Sequence, residues 1–210
     1  MRQQVRKILL GLKNILWGYQ VNEIKQLENF KIQVNFKNKD KIIEQSQVFD
    51  IVFSCEGVFS KLRNQFIKDN PIYLGLNMIN GIIDVSKQSI KNNNSYSIVD
   101  QTSHRLFFKP FQKGQMMWQL TSVMGLVESK QLASGNQEKW IQYVRENLKD
   151  WKHPILECIF NTDKNQMRCG PLFYRNSIQQ KLNLNNILFL GDAIHPMPPF
   201  KGQGANQAFV

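Results

Sequence analysis

The closing segment, residues 186–210, constrains the fold more than any other part of the chain. Its apolar run, ILFLG, has the composition of a buried strand, and Asp192 follows this run directly. Pro198 and Pro199 stiffen the next loop, and the string GQGANQAFV then begins a helix. A strand that delivers a carboxylate at its C-terminal edge and leads through glycines into a helix is typical of open α/β sheets, which bind ligands at that edge.

Each part of this segment suits a ligand. The Asp192 carboxylate can accept hydrogen bonds from hydroxyl groups, and Gly202 and Gly204 let the backbone approach a flat group closely because neither has a Cβ. The start of the helix directs N–H groups and the positive end of the helix dipole toward an anion, either a phosphate or a charge delocalised over a ring. The alternative is an ordinary strand–loop–helix corner, because glycine-rich turns are common.

A second strand–turn–helix unit is predicted nearer the N-terminus. Residues 49–54, FDIVFS, predict a fully buried strand, and the CEG string that follows turns the chain sharply. Ser60 has the position of an N-cap for the helix that contains Arg63. Two alternatives stay open for this unit, with Arg63 as a charge on the helix surface and Ser60 as a plain cap.

The remaining patterns alternate between helix and strand. They predict an amphipathic helix over 2–16, strands over 31–36 and 41–48, a strand-rich region over 70–131, and helices over 136–151 and 153–160. We therefore predict an α/β fold (an α+β mixture), with a β-rich insertion between the two strand–turn–helix units. The predicted parts of the chain are residues 1–69, 70–184 and 185–210.

The composition favours a globular protein. The formal net charge is +11, yet the lysines are scattered and no stripe of basic and aromatic residues appears, so nucleic-acid binding is not expected. No apolar run reaches membrane-spanning length, although the basic start of the chain also resembles a transit peptide. No pattern indicates an oligomeric state.

Cysteine and histidine usage argues against disulfides and metal ions. Cys55, Cys158 and Cys169 form an odd set without a CxxC pair, and the three histidines lie far apart in the sequence. No metal site is predicted, and the absence of a disulfide framework favours a reducing compartment, which we expect to be the cytoplasm.

Two strings of residues together resemble a known family. The closing string, Gly191-Asp192-Ala193-x-His195-x3-Pro199-x2-Gly202-Gln203-Gly204-x-Asn206, resembles the third fingerprint of the FAD-dependent monooxygenases of the p-hydroxybenzoate hydroxylase type. The string FDIVFSCEGVFSKLR resembles the middle fingerprint of that family, with matches at Asp50, Gly57, Ser60 and Arg63. In this string Glu56 replaces the usual Asp, and Cys55 replaces a small residue. The strings HRLFFKPF and MMWQL also look like the substrate-side sheet of the tetracycline-inactivating branch.

This resemblance implies part of a Rossmann-like FAD-binding domain with an inserted β-sheet substrate domain. It implies that Asp192 binds the ribityl hydroxyls of FAD, that Pro199 lies near the ring face, and that the backbone of 202–206 faces the pyrimidine edge. Glu56, Gly57 and Arg63 would lie near both FAD and the bound nicotinamide nucleotide, and His195 would pack locally rather than act as a base. The implied cofactor-binding residues are Gly191, Asp192, Pro199, Gly202, Gln203, Gly204, Ala205, Asn206, Glu56, Gly57 and Arg63, and no catalytic side chain is implied.

The resemblance also implies a reaction. NADH or NADPH reduces the flavin, the reduced flavin forms a C4a-hydroperoxide with oxygen, and one oxygen atom passes to a small organic substrate, aromatic or polycyclic. The protein orients the cofactor and keeps water out. Phe107, Phe108, Met117 and Trp118 either line an apolar pocket for that substrate or, as we expect, belong to the core.

One part of the family's pattern has no counterpart here. No GxGxxG string, which such enzymes use to bind the ADP half of FAD, occurs in the sequence. We therefore expect a fragment that starts after the adenine-binding unit and ends within a helix. The alternatives are a non-catalytic, truncated flavin-binding remnant or partner-dependent domain, and a non-oxygenating flavoenzyme such as a halogenase or a geranylgeranyl reductase.

Overall fold

The computed structural model describes residues 8, 10–11, 15–38, 44–86, 94–100, 104–152, 155–176 and 184–208. The chain forms two compact units, one made of Met1–Pro71 with Arg175–Val210 and the other of Ile72–Tyr174. Most of the helix predicted over 2–16 lies outside the described residues. None of the helices in these ranges is both long and apolar enough to cross a membrane.

Strands and helices both contribute to the described chain. The strands are β1 (Tyr19–Gln26), β2 (Ile32–Asn38), β3 (Glu44–Phe49), β4 (Val52–Ser54), β5 (Ile72–Asp84), β6 (Tyr96–Val99), β7 (His104–Gln112), β8 (Gln115–Val123), β9 (Arg168–Tyr174) and β10 (Ile187–Phe189). The α-helices are α1 (Lys61–Phe66), α2 (Leu126–Ala133), α3 (Gln137–Leu148), α4 (Ile155–Phe160) and α5 (Gly204–Ala208). Short 3-10 turns lie at Lys164–Gln166, Gly191–Ala193 and Pro199–Lys201.

The first unit contains two small sheets. β1, β2 and β3 form an antiparallel sheet in that order, and β4 pairs with β10 in parallel. The first sheet confirms the strand predicted over 31–36 and, from Glu44 onward, the strand predicted over 41–48, of which residues 41–43 lie outside the described residues. Apolar residues at alternate positions of β1 and β2 share one face, because successive side chains of a strand point to opposite sides. The core of this unit comprises Ile24, Ile32, Val34, Leu62, Ile187, Phe189 and Ala193.

The parallel pairing of β4 with β10 joins the two predicted strand–turn–helix units. Ser54 is level with Phe189 in the register, and the Leu190 N–H donates to the Ser54 carbonyl at 3.0 Å. Since the two strands run in the same direction, the turns that follow them lie at the same edge of the sheet.

The strand predicted over 49–54 is shorter than expected. Only Val52–Ser54 belongs to β4, because Phe49 is the last residue of β3 and Asp50 lies in a bend between the two strands. The apolar run therefore continues across the end of one sheet into the start of another, and composition alone does not mark that break.

The prediction that this strand is fully buried is wrong. Phe53 of β4 is 58% exposed and Leu188 of β10 is 49% exposed, whereas their neighbours Ser54 and Phe189 are buried. A strand is buried on both faces only where layers cover both sides of its sheet, and the described residues of this unit cover one side of β4 and β10.

β1 is a strand that the sequence patterns do not predict. Polar residues interrupt its apolar alternation, and its pairing with β2 shifts register between Val21 and Glu23. A bulge of this kind breaks the period of two by which a strand is recognised in a sequence.

The second unit contains a five-stranded antiparallel sheet in the order β6-β7-β8-β5-β9. This sheet confirms the strand-rich prediction for most of the region over 70–131. Alternate residues of the central strands are completely buried, among them Leu106, Met116 and Leu120. The same core contains buried residues of all three helices of this unit, such as Leu132, Val144 and Ile159.

α2 occupies the end of the region that the sequence patterns assign to strands. Gly125, which precedes the helix, makes no side-chain capping bond, and only Ser129 and Leu132 of the helix are buried. The helix thus lacks both the polar cap and the wide apolar stripe by which helices are recognised.

α3 carries both of these signals. The Asn136 side chain accepts a hydrogen bond from the Lys139 N–H at 3.0 Å. Trp140, Val144 and Leu148 recur at every fourth position, and all three are buried. The helix predicted over 136–151 is therefore confirmed, with its ends trimmed to Gln137–Leu148.

Trp118 is closely packed within this core. Its indole is buried and donates to the Thr162 hydroxyl at 3.0 Å, and that hydroxyl donates to the Ile159 carbonyl at 2.6 Å. Gly81 pairs with Trp118 across the sheet, so that the indole covers the glycine. Phe108 is also fully buried, and the core interpretation is confirmed for both aromatic residues.

Substituting Gly81 by Ala tests this packing. The added methyl group would lie 2.8 Å from the Trp118 Nε1 and from the Thr162 methyl group. We expect the free energy of unfolding to fall by about 1–3 kcal/mol, as measured by urea denaturation. Gly170→Ala on β9 is the matched control, because a Cβ there would meet no atom within 4 Å. Equal effects of the two substitutions would contradict the packing described.

Candidate functional site

The turn after β10 presents Asp192 to solvent. Gly191 adopts a φ of 56°, and the N–H groups of Ile194 and His195 both donate to the Gly191 carbonyl at 3.0 Å. These bonds close the 3-10 turn and leave the Asp192 side chain exposed. Its carboxylate makes no hydrogen bond or ion pair with another residue that the structure describes. This unpaired carboxylate is available to ligand hydroxyls.

The next loop leads from two prolines into α5. Pro199 begins a 3-10 turn, and Gly202 ends it in the left-handed conformation with a φ of 62°. The first backbone hydrogen bond of α5 runs from the Gln207 N–H to the Gln203 carbonyl at 2.9 Å. The preceding N–H groups, those of Ala205 and Asn206, have no backbone acceptor in the described chain.

α5 packs against the turn that carries Asp192. An ideal Cβ built on Gly191 would lie 3.3 Å from the Cβ of Ala208, so the helix and the turn approach each other closely. This contact is made by Ala208, the last residue of α5. Gly202, Gln203, Ala205 and Asn206 are exposed, and Gly204 is half-buried.

Glu56 and Ser60 together cap α1. The Ser60 hydroxyl donates to Glu56 Oε2 at 2.7 Å and accepts from the Arg63 N–H at 3.0 Å. The same Glu56 oxygen accepts from the Leu62 N–H at 3.0 Å, which places a negative charge at the positive end of the helix. The predicted N-cap at Ser60 is confirmed, and Gly57 forms the turn before it with a φ of 79°. One oxygen of Glu56 is thus engaged by the protein itself.

Arg63 is buried beneath the Asp192 turn rather than exposed on α1. Its side chain is inaccessible to solvent, which overturns the alternative of a charge on the helix surface. Its Nη1 donates to the carbonyls of Ala193, at 3.2 Å, and Ile194. Its Nε and Nη2 bind both carboxylate oxygens of Asp69, and Nη2 also reaches the Asn176 carbonyl at 3.4 Å. Every donor of the guanidinium therefore has a protein acceptor.

Asp69 and Arg175 belong to this arrangement but are not among the predicted site residues. Arg175 has a fully buried side chain and donates to Asp69 Oδ1 at 2.6 Å, to the Asp69 carbonyl at 2.6 Å and to Asn64 at 3.1 Å. It also donates from Nε to the Val58 carbonyl at 2.8 Å. No short-range pattern could have identified this partnership, because 106 residues separate Asp69 from Arg175.

The electrostatics of Asp69 follow from these contacts. The hydrogen bonds from Arg63 hold the pKa of the Asp69 carboxyl below its ordinary value of 3.8, and the charges of both arginines lower this pKa further against the opposing effect of burial. The carboxylate is therefore ionised under ordinary conditions and balances one of the two buried positive charges.

The structure thus brings the predicted residues together at one edge of the sheet formed by β4 and β10. Asp192 and residues 199–206 form its exposed surface, Glu56 and Gly57 lie in the neighbouring turn, and Arg63 lies beneath. Among the described residues, no group of three or more His, Cys, Asp or Glu side chains could hold a metal ion. A separate pocket on the sheet of β1, β2 and β3 is lined by none of the predicted residues.

Comparison with known proteins identifies relatives of this chain. It is 28% identical over 162 residues to the aurachin C monooxygenase/isomerase of Stigmatella aurantiaca, covering 76% of this chain and 39% of that protein. It is 23% identical over 160 residues to the 3-amino-4-hydroxybenzoate 2-monooxygenase of Streptomyces cremeus, covering 76% of this chain and 38% of that protein. The chain therefore spans about two fifths of the length of these relatives. No family model matches the sequence.

Comparison with solved structures identifies the fold. The HpxO protein of Klebsiella pneumoniae, solved in complex with FAD and uric acid, superposes with a TM-score of 0.80 at 16% identity, covering 99% of this chain and 51% of that one. The resemblance seen in the two fingerprint strings is confirmed: this chain is similar in sequence to two monooxygenases, and it has the fold of a protein solved with FAD.

Proposed function

We propose that this chain binds the flavin of FAD and takes part in the transfer of one oxygen atom to a small organic substrate. The observation that carries the proposal is the exposed carboxylate of Asp192, which has no partner among the described residues and lies in a turn at the carboxyl end of a parallel strand, in contact with the last residue of α5. Open α/β sheets bind their ligands at this position. The named relatives, two of them monooxygenases and one solved with FAD, support the choice of ligand.

The residues present fit the ring and ribityl parts of FAD. A carboxylate without a protein partner is a suitable acceptor for ribityl hydroxyls. The N–H groups of Ala205 and Asn206, which lack backbone acceptors among the described residues, can donate to carbonyl oxygens at a ring edge. A Cβ built on Gly204 would meet no atom within 4 Å, so the space above this backbone is open.

These residues divide the work of binding. Asp192 would hold the hydroxyl-bearing chain, and the backbone of 203–206 would stabilise negative charge at the ring edge. Pro199 would present an apolar surface without a backbone donor. Bound FAD would supply the redox and oxygen chemistry, with NADH or NADPH as its reductant. We assign Glu56 and Gly57 to the neighbouring part of the nucleotide site, and Arg63 to support from beneath.

We further propose that the predicted segment 70–184 contains the substrate domain, as the unit Ile72–Tyr174, and that the unit containing residues 1–69 and 185–210 forms the flavin-binding part. Phe107 and Met117 support this assignment, since both are half-buried and alternate with core residues along their strands. The relatives' names and the uric acid complex indicate ring compounds, so we propose an aromatic or polycyclic substrate. The cysteines Cys55, Cys158 and Cys169 are free thiols, which suits the cytoplasm.

A second candidate is a flavin-binding domain that depends on a partner polypeptide and does not catalyse a reaction by itself. The exposed apolar side chains of Phe53 and Leu188 on one face of β4 and β10 favour it. Titration of the purified chain with FAD separates the two candidates, because a folded chain that binds no FAD alone supports dependence on a partner.

Replacing Asp192 with Asn tests the proposed ligand contact. Loss of a charge-assisted hydrogen bond costs about 1.5–3 kcal/mol, so we expect FAD affinity to fall by about 10- to 100-fold in titrations of flavin fluorescence. Asp150→Asn is the matched control, because Asp150 is also exposed and lies in the other unit. Equal affinities of the wild-type chain and Asp192→Asn would contradict the assigned role.

Gly204 and Gly202 offer a test of backbone approach. Gly202 has a φ of 62°, so Gly202→Ala should cost about 1–2 kcal/mol of stability through backbone strain. Gly204 has neither a positive φ nor a neighbour for an added Cβ, so Gly204→Ala should leave the melting temperature of the free chain unchanged. We expect Gly204→Ala to weaken FAD binding nevertheless, because the methyl group would occupy the space of the ring. Unaltered FAD affinity would show that no ligand approaches this backbone.

A further inference from the structure

We propose that Asp69 is a positioning residue, which holds the Asp192 turn in its ligand-binding conformation through Arg63 without touching the ligand. The inference rests on the proposed flavin site and adds a residue that neither fingerprint string contains. It follows from the way in which one carboxylate connects two turns through two buried arginines.

Arg63 and Arg175 share the carboxylate of Asp69. Asp69 Oδ1 accepts from Arg63 Nε at 2.9 Å and from Arg175 Nη1 at 2.6 Å, and Oδ2 accepts from Arg63 Nη2 at 2.6 Å. Both arginine side chains are fully buried, whereas the Asp69 side chain is 29% exposed. Asp69 is the only acidic partner of either guanidinium among the described residues, so it fixes both of them in place.

Arg63 connects Asp69 with the turn that carries Asp192. Arg63 Nη1 donates to the carbonyls of Ala193 and Ile194, the two residues that follow Asp192 directly. The N–H groups of these residues point the other way, to Leu190 and Gly191 within the turn. The turn is consequently held on its inner side by a cation whose orientation depends on Asp69.

Arg175 connects Asp69 with the neighbouring turn. Its Nε donates to the Val58 carbonyl at 2.8 Å, and Val58 lies between Gly57 and the Ser60 cap. Asp69 therefore joins both turns at the ligand edge.

The charge balance makes the positions of Arg63 and Arg175 sensitive to the loss of the Asp69 charge. Two buried cations share one anion, and Arg175 Nη2 is buried without a hydrogen-bond partner among the described residues. Loss of the Asp69 charge would leave two like charges next to each other in a region of low dielectric constant. We expect the guanidinium groups to move apart, and Arg63 to release the carbonyls behind Asp192.

A double-mutant cycle with FAD as the probe tests the inference. In the otherwise wild-type chain, Asp69→Asn should weaken FAD binding by about tenfold. In the Asp192→Asn background the same change should have less than about a twofold effect, because the residue that the turn positions is already lost. Equal effects in both backgrounds would reduce Asp69 to a general stabiliser and overturn the proposal.

Three further variants keep this test decisive. Asp69→Glu retains the charge and should restore most of the affinity. Glu138→Gln breaks the exposed ion pair with Lys164 in the other unit and should leave FAD binding unchanged. If circular dichroism shows that Asp69→Asn does not fold, the cycle is run with Arg63→Lys, which keeps the buried charge but loses the planar donors. Additivity of Arg63→Lys with Asp192→Asn would again overturn the proposal.

Failure of this inference differs from failure of the proposed function. If the wild-type chain and Asp192→Asn bind FAD equally, the flavin site itself is wrong. If Asp192→Asn weakens binding and Asp69→Asn acts equally in both backgrounds, only the positioning role is wrong.

The pH dependence of stability gives a separate test of the Asp69 contacts. The hydrogen bonds from Arg63 lower the pKa of Asp69 below 3.8, and among the described residues the charged groups that face it are Arg63 and Arg175. The carboxylate therefore stabilises the fold fully above the unfolded pKa and loses this effect as the pH falls through the lowered value. We expect the melting temperature of Asp69→Asn to fall less than that of the wild-type chain between about pH 5 and pH 2. Parallel melting curves across this range would contradict the contacts.

Discussion

The parallel pairing of β4 with β10 is the constraint on which the candidate site depends. Each strand is short, and each is followed by a turn, with a helix further along the chain. Because the strands are neighbours and run in the same direction, residues that lie far apart in the sequence share one edge. A turn from the first part of the chain and a turn from the last part can thus act on the same ligand.

The exposed edge and its buried support have opposite electrostatic characters. Asp192 is an acceptor without a partner among the described residues, which is costly to keep in a core but suitable at a binding surface. Arg63 lies beneath the Asp192 turn, and Arg175 contacts the neighbouring turn at the Val58 carbonyl. Nearly all donors of both arginines are satisfied by backbone carbonyls, by Asn64 and by Asp69. A rigid inner layer of this kind lets the outer carboxylate remain unpaired without losing its position.

Local signals account for what the sequence made predictable. The Ser60 cap, the spacing of Trp140 and Val144, and the glycines around Asp192 each act over a few residues. The predicted Ser60 cap and the helix predicted over 136–151 are confirmed. The cofactor role of the glycine-rich segment remains a prediction, although the structure places that segment on an exposed surface.

Long-range contacts account for the rest. The burial of Arg63 depends on its pairing with Asp69 and, through Asp69, on Arg175. No local pattern in the sequence indicates that Asp69 and Arg175 lie close together. The exposure of Phe53 depends on which layers cover its sheet, whereas its sequence neighbourhood is that of a buried strand. Burial and exposure of this kind follow from the topology of the sheets and not from the periodicity of the sequence. The bulge in β1 also arises from strand pairing, and it removes the strand signal from the sequence.

Hydrogen–deuterium exchange of the backbone amides, measured with and without FAD, tests the central claim most directly. The N–H groups of Ala205 and Asn206 lack backbone acceptors in the described chain and should exchange rapidly in the free protein. If the start of α5 and the Asp192 turn form a flavin site, FAD should slow exchange at residues 191–195 and 204–206. Protection by FAD that appears elsewhere and spares both segments would contradict the account.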